Sequence, residues 1–264
     1  MANAPPGEIT RTQEIPGLSH PEAIRLAQSQ MSALENELRR LSPEDWDAPT
    51  DCDRWSVRDI VAHVTGWAEV MVSPRAFARQ AKLTRSLRKE LDNKIDAQNE
   101  AQVVARRSMT PDELIEAWRA ATPKFLSVRK NLGFVGKPIP LYNGFIGWTT
   151  VRFLLGQIFM RDHFMHRIDI SRATGKEMTL GEPERRIVAD VVRHWARNAK
   201  PNVRLELSGA AGGVFISGTG EGATIKGDAL DFCRLMCGRA SVSDFYIEGD
   251  EGSGRAWLAV RVPF

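Results

Sequence analysis

The segment RDHFMHRIDI, residues 161–170, contains one aspartate and two of the five histidines of the chain within its first six residues. Asp162 and His166 are four residues apart, so on a helix their side chains lie on one face. A carboxylate and an imidazole at this spacing form a two-ligand arm for zinc or another first-row metal. His163 is rotated by about 100° from Asp162 on the same helix, so we expect it to face a different neighbour or solvent.

A third candidate ligand, His63, lies in the segment SVRDIVAHVTGW. The apolar residues on its predicted helix face are Ile60, Val64 and Trp67, and those on the face of Asp162 and His166 are Val151, Leu155, Ile158 and Met165. Both faces should point into a core, where an unpaired charge is costly. We predict that His63, Asp162 and His166 bind a divalent metal and leave positions open for water or substrate. The alternative is a structural Asp–His contact.

The remaining histidines and the cysteines are weaker candidates for chemistry. His20 precedes a proline at a helix start and His194 lies among charged residues, so both are expected to be structural or exposed. Cys233 and Cys237 are four residues apart, but tetrahedral thiolate sites usually use two such arms. Cys52 directly precedes the His63 helix and lies near the proposed site in sequence, although a packing role is favoured.

Helical periodicity dominates the first two thirds of the chain. The long helices are predicted over residues 19–41, 56–72, 110–132 and 149–175, with short helices within 74–107. Ser56 with Asp59 has the spacing of a helix-capping box. Thr110 is the predicted N-cap of the next long helix, with Pro111 at its first position and Glu113 at its third. Four long antiparallel helices with short connections are typical of a four-helix bundle.

The pattern changes near residue 181. One amphipathic helix is followed by short alternating segments punctuated by glycine, which predict strands over 203–208, 213–218, 222–227, 245–249 and 256–262. A helix over 228–239 separates two of them. We therefore predict an α + α/β two-domain chain: a mobile tail over 1–18, a helical bundle over 19–180, and a small α+β domain with a mostly antiparallel sheet over 181–264.

Composition narrows the classes of partner. The 264 residues carry a net charge of only +3, without a block of like charge, so no nucleic-acid partner is expected. No apolar run approaches the roughly 20 residues that span a membrane, and the N-terminus lacks a signal-peptide pattern. Three cysteines do not make a disulfide framework, so a reducing cytoplasm is the expected location, with a monomer or homodimer as the expected state.

Two segments carry a family resemblance. DCDRWSVRDIVAHVTGW and DHFMHRIDI resemble the two motifs of the mycothiol-dependent maleylpyruvate isomerase family, within the wider DinB-like superfamily. The segment KGDALDFCRLMCGRASVSDFYIEGD resembles the second, sterol-carrier-protein-like domain of that family. The resemblance implies the same metal triad of His63, Asp162 and His166. The usual glutamate of the family is Asp162 here, whose side chain is one methylene shorter.

The resemblance also implies a thiol chemistry. Family members use a low-molecular-weight thiol, mycothiol in actinobacteria, and a metal, most simply zinc, deprotonates a coordinating thiol. The thiolate would add to an electrophilic small molecule, giving either an isomerase or an S-transferase.

Arginines and one further aspartate have expected supporting roles. Arg239 is the candidate clamp for a substrate carboxylate, by analogy with an arginine of the family's second domain, and a structural salt bridge is the alternative. Arg58, Arg167 and Asp169 are expected to fix helices around the site. Asp169 would orient a ligand histidine if the two meet.

Two other functions are compatible with the same residues. The same scaffold could hydrolyse a substrate through metal-activated water. It could also be a non-catalytic small-molecule-binding protein in which Asp162 marks a decayed metal site. The substrate is expected between the two predicted domains, since binding sites favour such interfaces.

Overall fold

The structure, a computed structural model, describes residues 9–91, 93–135, 139–143 and 147–264. Elements are numbered in chain order. The α-helices are α1 (His20–Leu38), α2 (Val57–Val72), α3 (Pro74–Leu87), α4 (Lys94–Val104), α5 (Pro111–Val135), α6 (Val151–Phe153), α7 (Phe159–Thr174), α8 (Glu182–Ala199), α9 (Ala229–Met236) and α10 (Glu251–Leu258). The strands are β1 (Ile9–Arg11), β2 (Pro140–Asn143), β3 (Gly147–Thr150), β4 (Val203–Ser208), β5 (Gly213–Ser217), β6 (Ala223–Asp228) and β7 (Tyr246–Gly249).

The chain divides into two compact units. The helical unit is His20–Met178, and the sheet unit is Thr179–Phe264 together with Met1–Ser19, of which residues 9–19 are described. A mostly helical first part and a mixed α/β second part agree with the predicted two-domain class. Within the described residues, none of the helices combines the length and the apolar character that crossing a bilayer requires.

The helical unit is built from its longest helices. The helix α1 packs against α5 and α7, and α2 packs against the same two helices. The shorter α3 and α4 pack against each other and against α2. Fully buried apolar side chains from these helices form the core, among them Leu34, Leu38, Ile60, Val61, Val64, Trp118 and Phe125.

Capping residues set where α2 and α5 begin. The Asp59 backbone N–H donates to Ser56 Oγ, and the Ser56 backbone N–H donates to Asp59 Oδ2 at 3.0 Å. Thr110 and Glu113 make the same reciprocal pair at the start of α5, with distances of 2.7 and 3.3 Å. The predicted capping box of α2 and the predicted N-cap Thr110 of α5 are therefore present, and the first of them places His63 at a defined turn of α2.

The helix that carries Asp162 and His166 differs from its predicted form. The sequence predicts an uninterrupted helix over 149–175, but β2 and β3 pair as a hairpin and the helix begins only at Val151. Leu154–Ile158 then form a π-helical turn before α7, and Gly175, with a positive φ of 66°, caps the C-terminus of α7. A π turn accommodates one extra residue. The face that Asp162 shares with Val151 therefore cannot be found by counting 3.6 residues per turn across it.

The buried Arg129 of α5 accounts for the stability of this π turn. Its Nε donates to Leu155 O at 2.6 Å and its Nη2 to Gly156 O at 3.2 Å, which satisfies two carbonyls of the turn. The guanidinium also lies over the rings of Phe125 and Phe159, at 5.3 and 5.7 Å from their centroids. Burial lowers the pKa of Arg129 to about 9, so the group stays charged at neutral pH.

A buried ion pair joins α7 to α1. Arg167 is fully buried, and its Nε and Nη2 donate to the two carboxylate oxygens of Glu37 at 2.9 and 2.7 Å. Its Nη1 donates to Gln30 Oε1. This fork-on-fork contact holds the turn that follows His166 against α1. The expectation that Arg167 ties helices together agrees with these contacts.

The sheet of the second unit is mixed, with the strand order β1-β5-β4-β6-β7. β4 pairs with β5 and β6 with β7 in antiparallel fashion, but β4 pairs with β6, and β1 with β5, in parallel. The prediction of a mostly antiparallel sheet is therefore wrong. β6 runs opposite to β5 but adjoins β4, which also runs opposite to β5, so β4 and β6 are parallel.

The first described residues belong to this sheet. Ile9–Arg11 form β1, Thr12 N donates to Ile216 O at 2.9 Å, and Ile15 is 5% exposed. The predicted mobile tail over 1–18 is wrong for these residues, because the free edge of β5 offers backbone partners to an added strand. Residues 1–8 lie outside the described residues.

The prediction of a last strand over 256–262 is also wrong. Asp250 accepts from Ser253 N at 3.0 Å and starts α10, which covers Glu251–Leu258. Buried positions in this region are Gly254, Leu258 and Val262, which are four residues apart. The alternation of apolar residues in AWLAVRV suggests a strand, whereas burial recurs every four residues. The capping residue Asp250 lies before that segment, so the segment alone gives no sign of a helix start.

The pair between Arg167 and Glu37 gives a stability prediction. Glu37→Gln removes the counter-charge of a buried guanidinium, so we expect the free energy of unfolding of the helical unit to fall by about 3 kcal/mol. The control is Glu116→Gln, which breaks an exposed pair with Arg119 and should cost less than about 0.5 kcal/mol. Urea unfolding followed by helical circular dichroism measures both. Equal effects of the two substitutions would contradict the prediction.

Candidate metal centre

Three side chains predicted as metal ligands converge inside the helical unit. His63 on α2 is 2% exposed and His166 on α7 is 3% exposed. Asp162 Oδ1 lies 3.8 Å from His63 Nε2 and 3.4 Å from His166 Nε2. One potential ligand atom from each residue lies within 4.8 Å of the other two. The contact between α2 and α7 brings them together, as their predicted helix faces indicate.

The spacing of these atoms fits a shared cation better than direct hydrogen bonds. Both Asp162–histidine distances exceed ordinary hydrogen-bond length. Two ligands of one tetrahedral zinc, each about 2.0–2.1 Å from the metal, are themselves about 3.4 Å apart. Asp162 Oδ2 is buried and has no hydrogen-bond partner among the described residues. Two imidazoles and a carboxylate are also a donor set that zinc accepts. The residues present therefore fit a divalent cation.

The shorter arm of Asp162 still extends to both histidines. Its Oδ1 approaches each Nε2 to within 4 Å, although aspartate is one methylene shorter than glutamate. Its side chain is also the most accessible of the three, at 24% exposure against 3% and 4% for the two histidines. The Asp162 side chain is therefore partly exposed, although its Oδ2 is buried, and both imidazoles are buried.

Asp169 orients His166. His166 Nδ1 lies 2.9 Å from Asp169 Oδ2, and Asp169 is completely buried. A neutral imidazole that donates Nδ1–H to a carboxylate has its lone pair on Nε2, the nitrogen that faces Asp162, so His166 can bind a metal there once its second proton has left. This is the contact that would make Asp169 an orienting residue for a metal ligand.

Cys52 lies on the outer side of the same pair. Its thiol donates to Asp169 Oδ2 at 3.6 Å, and Cys52, His166 and Asp169 also have the mutual spacing of a possible metal group. However, Asp169 Oδ2 already accepts from His166 Nδ1. These contacts therefore assign Cys52 to the hydrogen-bond layer behind the ligands, and the expectation that it lies near the site is consistent with its position.

Trp55 covers the two imidazoles. Its ring centroid is 4.8 Å from that of His63 and 6.4 Å from that of His166. Its Nε1 donates to Glu100 Oε2 at 3.1 Å, which fixes the indole from the side of α4. The sequence predicts no role for Trp55, because a tryptophan one residue before a helix cap carries no periodicity signal of its own.

The charges of the cluster favour an ionised aspartate beside one protonated histidine. Burial alone would raise the pKa of Asp162, but His166 and His63 beside it hold that pKa well below its usual range. Burial acts to lower the pKa of His166, but the carboxylates of Asp162 and Asp169 outweigh it and raise that pKa well above its usual range. Burial lowers the pKa of His63 despite Asp162. His63 is therefore neutral and His166 cationic at neutral pH without a metal.

The other three histidines lie outside this cluster. His163 is fully buried, its Nδ1 contacts Phe159 O, and its ring lies 5.4 Å from that of Trp118. Burial lowers the pKa of His163 to about 4, so it is neutral. The sequence predicts that His163 faces either a different neighbour from Asp162 or solvent. It faces Trp118 and is shielded from solvent. His20 Nε2 contacts Lys130 O at 3.0 Å, and His194 is half-buried on α8.

Arg239 lies in the sheet unit, directly after Gly238, whose φ is 86°. It is half-buried, and its Nη1 donates to Cys237 Sγ at 3.2 Å. Its carbonyl accepts from Arg234 Nη2 at 2.9 Å. These contacts hold the turn at the end of α9. The role of Arg239 as a carboxylate clamp stays a prediction.

Solved structures with a similar fold include a mycothiol-dependent maleylpyruvate isomerase, with a TM-score of 0.54 and 14% sequence identity, over 90% of this chain and 95% of that chain. A histidine-to-alanine mutant of the mycothiol-dependent maleylpyruvate isomerase gives the same TM-score and coverage at 13% identity. At such identities the likeness establishes the fold alone. Among curated proteins, none matches this chain.

The family assignment comes from the helical unit. The model of the mycothiol maleylpyruvate isomerase N-terminal domain matches residues 27–171, more than half of the 264 residues. The matched range includes His63, Asp162 and His166, and it runs from within α1 to near the end of α7. The resemblance noted in the sequence motifs is confirmed: the chain belongs to the mycothiol maleylpyruvate isomerase family, defined by that N-terminal domain.

Proposed function

We propose that this protein is a divalent-metal-dependent isomerase that uses a low-molecular-weight thiol, mycothiol, as co-substrate. The observation that carries the proposal is the convergence of His63, Asp162 and His166, with one potential ligand atom of each within 4.8 Å of the others, in a chain that belongs to this family. Three protein ligands leave coordination positions open, which is the arrangement of catalytic and not of structural zinc.

The chain supplies metal ligands held in fixed positions, at a site that is covered on one side. His63 and His166 present Nε2, and Asp169 holds the second imidazole in the required tautomer. Trp55 covers the imidazoles on one side and reduces the access of water there. A divalent cation held by these groups, zinc or another first-row metal, would act as a Lewis acid that lowers the pKa of a thiol from about 8.5.

The proposed reaction is a reversible addition. A thiolate adds to one carbon of a double bond conjugated with a carbonyl, and the electron pair moves to the carbonyl oxygen. Rotation about the resulting single bond and loss of the same thiolate return the double bond with inverted geometry, so the thiol is regenerated. An S-transferase would instead protonate the adduct and release it. The similarity to maleylpyruvate isomerases favours the first course, with an unsaturated keto acid as substrate.

Arg239 is the proposed partner of a substrate carboxylate. A guanidinium binds a carboxylate through two parallel charge-assisted hydrogen bonds. The backbone of Arg239 is anchored by Arg234, since its N–H donates to Arg234 O at 2.8 Å. Nη1 of the Arg239 guanidinium contacts Cys237 Sγ, so a substrate carboxylate would have to bind the other guanidinium nitrogens.

The decisive experiment combines metal analysis with thiol dependence. We expect the purified full-length chain to bind about one zinc and to isomerise a maleylpyruvate-type substrate only when mycothiol is added. His166→Ala should lose both properties, because it removes a ligand, and His194→Ala on α8 should keep both. Metal-dependent turnover without thiol would favour hydrolysis. A metal-free protein unaffected by His63→Ala would favour a non-catalytic binding protein.

Zinc binding should release a proton. The pKa of His166 lies well above its usual value without metal, so at neutral pH the metal must displace its proton, while Asp162 is already ionised. In titration calorimetry, the observed enthalpy of zinc binding plotted against the ionisation enthalpy of the buffer should have a slope that corresponds to about one proton released per zinc. Zinc affinity should rise about tenfold per pH unit below the folded pKa of His166 and level off above it. A slope near zero at pH 6 would contradict this charge state.

Arg239→Ala tests the carboxylate clamp. We expect the KM for a carboxylate substrate to rise about 10–100-fold, since two charge-assisted hydrogen bonds are lost, with zinc affinity unchanged. Arg255→Ala is the control, because Arg255 pairs with exposed Glu251 on α10. Steady-state kinetics with the acid and its methyl ester separate the roles. An equal loss with both substrates would show that Arg239 supports only the fold.

A further inference from the structure

One ring nitrogen of His63 lacks a partner. Its Nε2 faces Asp162, but its Nδ1 is buried and makes no hydrogen bond with any described residue. A buried N–H without a partner is costly, and a histidine that binds metal through Nε2 almost always donates Nδ1–H. His166 donates to Asp169 in this way. The ligand on α2 therefore requires a group that plays the corresponding part.

The side-chain amide of Gln102 on α4 also lacks hydrogen-bond partners among the described residues. Gln102 is completely buried, and neither Oε1 nor Nε2 of its amide has a hydrogen-bond partner within the described chain. The amide lies near the His63 imidazole, although the contact falls short of ordinary hydrogen-bond geometry. A carboxamide oxygen is an acceptor suited to an imidazole N–H.

The packing of α4 on α2 holds Gln102 beside His63. Gly66 lies one turn after His63, and a Cβ there would be 2.6 Å from Gln102 Cβ and 2.7 Å from Gln102 Cγ. Only a glycine at this position gives the Gln102 side chain room against the α2 backbone. Arg106 anchors the same turn of α4, because its Nη1 donates to Gln102 O at 3.0 Å and its Nη2 to Glu69 of α2.

We propose that Gln102 is the positioning residue of His63: its Oε1 accepts Nδ1–H and thereby directs the Nε2 lone pair at the metal. The proposal rests on the metal site proposed above and extends it to α4. The two ligand histidines then have different supports. The carboxylate of Asp169 supports His166 on α7, and the neutral amide of Gln102 supports His63 on α2.

Two substitutions separate positioning from packing. Gln102→Met keeps the side-chain volume but removes the acceptor, and Gln102→Glu keeps the acceptor but adds a buried charge. If Gln102 positions His63, zinc affinity should fall about 10-fold or more in Gln102→Met and stay near that of the unaltered protein in Gln102→Glu. A packing role gives the opposite order, since the apolar side chain fits a core better.

The measurements are zinc competition against a chelator and thermal unfolding of the zinc-free protein. Gln80→Met is the matched control, because Gln80 is a buried glutamine of α3 that donates to Gln98 O at 2.6 Å. Its zinc affinity should not change. Equal zinc affinity in Gln102→Met and the unaltered protein would overturn the role of Gln102 and leave the proposed function standing.

A spectroscopic test needs no variant. In zinc-loaded protein with ¹⁵N-labelled histidine, the Nδ1–H proton of His63 should be resolved and protected from exchange with water. A proton that exchanges rapidly would overturn the proposal. Failure of the unaltered protein to bind zinc would overturn both the metal site and the role of Gln102, which separates that outcome from the failure of Gln102 alone.

Discussion

The helical unit depends on a largely buried negative charge. Asp162 is surrounded by His63, His166 and the more distant guanidinium of Arg129, all of which act on its carboxylate or are acted on by it. An isolated carboxylate in such a place would be strongly unfavourable. Its presence is compatible with a stable core only because positive or hydrogen-bonding groups surround it, and a cation would satisfy the same requirement.

The surrounding helices bring these groups together by local rules. Ser56 and Asp59 define where α2 begins, so His63 falls on the inner face of that helix. Arg167 binds Glu37 and keeps the turn after His166 against α1. Arg129 satisfies carbonyls of the π turn before Asp162. Each contact is ordinary by itself, and the site results from their combination across four helices.

Much of this could be predicted from sequence, and the reasons for the rest are physical. The spacing of Asp162 and His166, the inner face of His63 and the caps at Ser56 and Thr110 are local patterns, which a single helix determines. The roles of Gln102, Trp55 and Arg129 depend on which helices adjoin, and no periodicity encodes that. The parallel pairing of β4 with β6 escapes prediction for the same reason, since strand order is a long-range property.

The π turn at Leu154–Ile158 separates the number of residues in the helix from the direction of the side chains beyond it. A π turn accommodates one extra residue in a single turn, so an unbroken α-helix one residue shorter would leave Asp162 and His166 facing nearly the same way relative to α6. The same deletion within residues 159–161, outside the turn, would rotate both side chains by about 100° relative to α6. A relative could therefore lose the site by a length change after this turn while keeping every ligand in its sequence.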